Sequence, residues 1–304
     1  MEISRNFHTH TIEIRMEKKI LELYALHKLA VGPKLRKIPM QVLNYIVRDS
    51  DIEALPEAKK RFLDKKENKH YMGIVGSLIW IEGVRFDIIF CVLYLSWHTH
   101  APRQHHLDVA YYLIGYLNFT HNMPLVLGGT ELIQGHHFWD SSHATGPKSC
   151  GITGLVNKLG YNSGAISAKA TKQKLPNLSS FENELVGSTS AFKNANRVDN
   201  ILTEIHIPRA DIPTVYNDNQ AVLEFIRGNS ISKGSRHMEL RQWYTRLEYQ
   251  AGKVKADYHK GTITPADKLT KPSIQTEHFE FTTNIQGLNL LEYDYFKSIL
   301  PHEE

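Results

Sequence analysis

A chain of 304 residues, 41% of them hydrophobic, can bury one large core or two ordinary ones, so one or two soluble domains are expected. With only two cysteines, Cys91 and Cys150, a disulfide framework is excluded; the N-terminal MEISRNFHTH also lacks an apolar signal core, and an intracellular, reducing compartment is the expectation. The formal charge of +4 lies in residues 1–130, with 17 Lys/Arg against 13 Asp/Glu, while 131–304 balance 19 against 19; this surplus permits nucleic-acid binding without requiring it.

Up to residue 130 the apolar residues recur at helical spacing. Ile20, Leu21, Leu23, Tyr24 and Leu29 mark a first helix and Val109 to Leu117 a later one, while the charged stretch Arg48 to Glu67 reads as a surface connection with some local helix. The apolar run Gly73 to Trp97 carries Glu82, Arg85 and Asp87 near its middle. Charges there would cost several kcal/mol in a bilayer, so the run predicts a buried helix and no membrane span. Seventeen histidines, crowded in WHTHAPRQHH (97–106) and GHH (135–137), raise the question of zinc, but structural zinc usually takes cysteines in paired spacing, which this chain lacks.

After LVLGGTEL the texture changes to short runs bounded by Gly, Ser and Asn. HHFWD, CGITGLVNKLG and GAISAKATK are spaced like three consecutive antiparallel strands. Ser179 followed by Glu182 is capping-box spacing, and Phe181, Leu185 and Phe192 line one side of the helix that follows. Then come a strand PTVYN, a short helix from Asp218 or Asn219, a longer helix from about Arg236 to Ala251, a strand KVKADYH, and a last turn or helix around TPADKLTK. This order describes an α/β domain, a mixed sheet with flanking helices.

Four acids fall where such an architecture gathers side chains: Asp140 ends the first strand, Glu184 lies one turn into the first helix, Asp218 ends the fourth strand, and Asp267 lies in the terminal segment. Converging carboxylates without basic partners repel one another unless divalent cations neutralise them, and hard oxygen donors select Mg²⁺ or Mn²⁺. Two such ions, roughly 3.5 to 4 Å apart, support phosphodiester hydrolysis. Each acid also has a plainer reading. A lone Asp after a strand is most often a helix cap, and Asp218 reads both ways, although Asn219 can share the capping duty. Of the two acids on the first helix, Glu182 is engaged by the cap; Glu184, roughly 200° around the helix, lies on the side packed toward the sheet.

Six segments, YMGIVGSLIWIEGVRFDIIFCVLYLS, HFWDSSHATGPKS, SSFENELVGSTSA, VYNDNQAV, SRHMELRQWY and PADKLTKP, resemble the C-terminal end of copia-type retrotransposon polyproteins over roughly residues 10–290. The resemblance implies the tail of a reverse transcriptase with a mostly helical thumb or connection-type segment (1–130), a ribonuclease H-like domain with a mixed five-stranded sheet (131–275), and a C-terminal tail (276–304). It implies an Asp-Glu-Asp-Asp site at Asp140, Glu184, Asp218 and Asp267 holding two Mg²⁺ or Mn²⁺ ions. The implied substrate is the RNA strand of an RNA/DNA hybrid, and the implied partner the polymerase part of a reverse transcriptase. The setting would be a cytoplasmic virus-like particle and the nucleus. Polar and basic residues near the acids are candidate nucleic-acid contacts: Ser141, Ser142, Lys169, Lys172, Asn219, Gln220, Arg236, His237, Lys268 and Lys271. Each of these lysines and arginines is also read as a solvated surface residue. His259, eight residues before Asp267, resembles the mobile histidine of cellular and retroviral ribonucleases H, although copia-type sequences usually lack one there. No Asp-Asp pair occurs anywhere, so the chain is not expected to synthesise DNA, and a truncated element copy is the simplest origin. Two competing readings are a non-catalytic binding or assembly relic and a DNA resolvase or exonuclease on the same fold.

Overall fold

The computed structural model describes residues 1–174, 176, 177, 179–228 and 239–288. These form two compact units, one of residues 1–127 with the described chain from Pro272, the other of Gly128–Lys271.

The first unit opens with a hairpin, β1 (Glu2–Asn6) and β2 (Thr11–Arg15), paired antiparallel and extended by β3 (Leu125–Gly128). Helical spacing gave no sign of these strands, because every residue of β1 is exposed and no apolar face marks it. Helix α1 (Glu17–Val31) follows, then two short helices, α2 (Asp49–Glu53) and α3 (Glu57–Lys60), in the charged connection. Next comes α4 (Lys65–Glu82), whose start is set by Asp64: its carboxylate accepts from the N–H groups of Lys66 and Glu67, while Glu67 returns a bond to the Asp64 N–H.

The run expected to be one buried helix is two, α4 and α5 (Ile89–Trp97), broken at Gly83–Ile88. The break is where the charges sit. Arg85 forms a two-pronged ion pair with Asp87 at 2.8 Å on both prongs, both side chains fully buried, and Arg85 also donates to the Thr120 carbonyl. Tyr116, on α6 (Gln104–Phe119), donates to Asp87 at 2.6 Å and meets His278 Nε2 at 2.9 Å. His278 lies on α7 (Gln275–Gln286), so the segment read from sequence as a separate tail contributes a helix to the first unit. Among the described residues, no helix is long and apolar enough to cross a membrane.

In the second unit the predicted order holds. Strands β4 (His136–Ser142), β5 (Ile152–Lys158) and β6 (Ser167–Lys172) run antiparallel in succession. After the long helix α8 (Ser180–Glu204), β7 (Thr214–Asn217) lies parallel to β4, and β8 (Lys255–Tyr258) parallel to β7. The resulting five-stranded order is β6-β5-β4-β7-β8, with α9 (Gln220–Arg227) and α10 (Glu239–Gln250) between the last two strands in sequence. One face of the sheet meets the helices through Trp139, Leu155, Phe192, Val215, Val222 and Ile226. Gly187 lets α8 come close to β4, since a Cβ there would lie 3.0 Å from the Trp139 ring.

Candidate metal and nuclease site

The register of the parallel pair brings the two strand-end acids together. Phe138 on β4 is opposite Tyr216 on β7, so two residues further along, beyond the last paired positions, Asp140 and Asp218 emerge side by side on one face. Open α/β sheets gather ligands at these carboxyl ends, where parallel strands diverge. Across the antiparallel pair, Asp140 faces Gly154. A Cβ on Gly154 would lie 2.9 Å from Leu269 Cβ and would also run into the Ala266 carbonyl, so the bare backbone is what admits the segment carrying Asp267 and Thr270.

Glu184 arrives from α8, whose first turn Ser179 caps by accepting from the Glu182 N–H. Glu182 is half-buried and Glu184 buried. Both Glu184 oxygens are held, Oε1 by the Ser141 N–H at 3.2 Å and Oε2 by Asn217 Nδ2 at 3.1 Å. Asn217 also donates to the Trp139 carbonyl and accepts from the Asn219 N–H. Asn219 caps α9 through the Val222 N–H, which frees the Asp218 carboxylate from that duty. Gly261 packs against Asp218 so closely that any side chain there would strike its carboxylate.

Ligand atoms of Asp140, Glu184 and Asp218 all lie within 4.8 Å of one another. Asp267 lines the same pocket but is held differently, its two oxygens paired with Lys268 at 3.0 Å and Lys271 at 2.6 Å. The expectation of four acids without basic partners is therefore corrected to three clustered acids and a fourth already neutralised. Burial, then the charges of Asp267 and Asp218, pushes the Asp140 carboxyl up to about 6, against the pull of the Thr270 hydroxyl that donates to it at 2.7 Å. Burial and the Asp140 charge raise Glu184 well above the usual carboxylate range, and burial followed by Asp267 raises Asp218. Three hard oxygen donors that burial, and after it mutual repulsion, make costly to ionise fit a small divalent cation, which would offset that cost.

Of the candidate nucleic-acid contacts, Ser142, Asn219, Gln220 and Lys271 line the acidic pocket. Ser141 is turned inward instead, its hydroxyl 3.1 Å from that of Thr153. Lys268 is nearly buried on Asp267, and Lys169 and Lys172 line a separate groove. Arg236 and His237 lie outside the described residues. His259 is corrected from a mobile residue to a packed one: it is 8% exposed, with Nδ1 2.7 Å from the Thr264 hydroxyl, Nε2 2.7 Å from the Tyr161 hydroxyl, and its ring against Phe138. Sequence reasoning passed over Asn217, Thr270 and Tyr258, the last a half-exposed ring on the pocket wall. Asn217 and Thr270 stood inside quoted motifs as neutral polar residues beside acids, the kind that hold a carboxylate in place.

An acidic cluster at the ends of adjacent parallel strands, on a mixed sheet of this order, defines a ribonuclease H-like domain. The chain is 28% identical over 217 residues to the retrovirus-related Pol polyprotein from transposon RE1 of Arabidopsis thaliana, covering 71% of this chain and 15% of that polyprotein. It is 25% identical over 296 residues to the RE2 counterpart (91% and 20%), and 24% identical over 287 residues to the Ty1-DR1 Gag-Pol polyprotein of Saccharomyces cerevisiae (90% and 15%). These relatives are copia-type retrotransposon polyproteins, as the six motifs implied, and the chain spans 15 to 20% of their length. No family model matches. Among solved structures it is similar to RNase H1 from Halobacterium salinarum, with a TM-score of 0.29 and 10% identity over 42% of this chain and 86% of that one.

Proposed function

We propose that the ribonuclease H-like unit is a metal-dependent endonuclease that cuts the RNA strand of RNA/DNA hybrids and leaves a 3′-hydroxyl. The observation that carries this is the convergence of Asp140, Glu184 and Asp218 within 4.8 Å in an open polar pocket. When bound there, two Mg²⁺ or Mn²⁺ ions would supply an activated water and counter-charge for the leaving oxygen. The chain's own part is positioning. The Ser141 N–H and Asn217 fix both oxygens of Glu184, and Thr270 fixes Asp140. Asn219 and Gln220 offer amides at the pocket rim for ribose hydroxyls and phosphate oxygens, and the Tyr258 ring gives the wall an apolar surface. Lys271, paired with Asp267, brings a positive charge to the wall of the same pocket, where it would attract a backbone phosphate.

A second reading, a non-catalytic hybrid-binding module, draws support from the two lysines that already neutralise Asp267. The test is cleavage of a labelled RNA/DNA hybrid with Mg²⁺ or Mn²⁺ by the full chain and by Asp218→Asn. Cleavage by the wild type alone supports the nuclease. If both proteins are inert yet bind hybrid equally, the binding module stands; cutting of duplex DNA instead favours a resolvase or exonuclease on this fold.

A further inference from the structure

The first unit has a cavity of its own, about 340 Å³ in volume, between the C-terminal end of α1, the loop after it, α3 and α6. Its cations come from two of these elements, Lys34 and Arg36 from the loop and Lys59 from α3. Asp108, on α6, is the one acid among the described residues that line it, and its Oδ1 accepts from Gln104 Nε2 at 2.9 Å. Among the described residues, none of the three cations is within ion-pairing distance of a carboxylate. Three cations against one acid leave a net charge of about +2 on a concave surface, where like charges repel and an anion relieves the repulsion.

Arg36 is built into this wall. Its stem lies against the bare backbone of Gly115 on α6, where a Cβ would be 3.0 Å from Arg36 Cγ, and its guanidinium stands 4.8 Å from the centre of the Tyr112 ring. Arg36 Nε is buried and has no hydrogen-bond partner among the described residues. His105, from the histidine-rich run 97–106, is 2% exposed and donates from Nε2 to the Asn44 carbonyl at 3.0 Å. A carbonyl only accepts, so Nδ1 of the neutral ring is an acceptor, and it too is buried without a partner among the described residues. Burial, opposed by the bond to Asn44, lowers the His105 pKa and keeps the ring neutral at pH 7. Unpaired donors and acceptors of this kind are costly, and a phosphate group supplies what both lack: oxygens for Arg36 and, when singly protonated, a hydroxyl for Nδ1. Ala30, Val31 and Val109, also in the lining, give an organic group an apolar surface. A backbone phosphodiester carries one charge and no ionisable hydroxyl, whereas a monoester carries between one and two charges at pH 7 and can keep its hydroxyl.

We propose that this cavity binds a small phosphate monoester, with Lys34, Arg36 and Lys59 on the phosphate and the apolar lining against the organic part. A cavity of this volume suits a ligand of mononucleotide size or smaller. The proposal is independent of the nuclease reading. Its test is calorimetric titration of the full chain with phenyl phosphate, inorganic phosphate and sulfate, in EDTA so that no metal ion bridges a phosphate to the acidic pocket. Wild type is compared with Arg36→Gln combined with Lys59→Gln, and with Asp108→Asn, which removes the acid and keeps an acceptor for Gln104. Wild type should bind phenyl phosphate more tightly than inorganic phosphate or sulfate. The double variant should bind it at least about tenfold more weakly, since charged hydrogen bonds are lost. Asp108→Asn should bind it about threefold or more tightly, because a repelling charge is gone. Thermal melting verifies that the variants are folded. If the double variant melts early, Asp108→Asn decides alone: tighter binding upholds the site and unchanged affinity overturns it. A wild type that binds no phenyl phosphate, or binds sulfate equally well, overturns it. So does a double variant that weakens an RNA/DNA hybrid and leaves phenyl phosphate affinity unchanged, which would make the cavity wall a backbone contact.

Discussion

Replacing Asp140 by Asn should make the metal-free protein more stable at neutral pH. The Asp140 carboxyl is raised from 3.8 to about 6, by burial first and by Asp267 and Asp218 next. At about 1.36 kcal/mol per unit this caps the penalty of ionising it in the fold at roughly 3 kcal/mol. The amide keeps the shape and still accepts from the Thr270 hydroxyl, so most of that penalty is removed without a new void. The sign follows from linkage: with the folded value above the unfolded one, the native state holds the proton longer, and wild-type stability falls as pH rises from about 4 to 6. Above about 6 the full penalty is present. A gain of about 1 to 3 kcal/mol corresponds to a rise in Tm on the order of 3 to 8 °C. The assay is thermal melting of the full chain in EDTA from pH 4.5 to 8, wild type beside Asp140→Asn, then with Mg²⁺. The variant should melt higher at pH 7.5, show a flatter descent between pH 4.5 and 6, and lose the stabilisation that Mg²⁺ gives the wild type. A variant less stable than wild type in EDTA at pH 7.5, or one with a parallel pH profile, would refute the picture of three unneutralised acids.

Gly261→Ala drives a methyl into the Asp218 carboxylate, so hybrid cleavage should fall at least about tenfold, as expected when a metal ligand is misplaced by about 1 Å, with a smaller loss of Tm. Cleavage at the wild-type rate would show that Asp218 needs no fixed position. His259→Gln should cost about 1 kcal/mol of stability through its bonds to Tyr161 and Thr264 and leave kcat within about twofold; a large fall in kcat at unchanged Tm would restore a product-release role. Asp87→Ala takes away the carboxylate that neutralises the buried Arg85, and denaturant unfolding should register a loss of about 3 to 5 kcal/mol. A loss below about 1 kcal/mol would mean that Arg85 reaches water once Asp87 is gone.

The second unit was legible because its signals are local. Strands of period 2 lie between Gly, Ser and Asn turns, Ser179 caps a helix, and acids fall at strand ends, so the element order could be read residue by residue. Glu184 was separable from Glu182 because helical geometry sends two neighbours to opposite sides. Other features depend on contacts distant in sequence. Nothing near Asp267 in the chain says whether Lys268 and Lys271 point outward or fold back on it; packing against Gly154 and the Thr270–Asp140 bond, both distant in sequence, hold that segment. His259 looked available because its partners are Thr264, five residues on, and Tyr161, nearly a hundred residues earlier. In the first unit, Arg85 and Asp87 stood inside one apolar run in the sequence, yet these charges broke the run into two helices, because their ion pair needs Thr120 and Tyr116 around it.

The buried knot of Arg85, Asp87, Tyr116 and His278 also orders events in time. Residues 128–271 are an insertion within the first unit, whose last described helix is translated only after every residue of the ribonuclease H-like unit has been translated. Until His278 arrives, Tyr116 lacks one of its partners and the face of Phe86–Ile88 that receives α7 stays open. The inserted unit can fold on its own schedule while the unit that encloses it waits. The insertion is tethered at both ends, so a single protease cut at either junction leaves it attached, and release takes two.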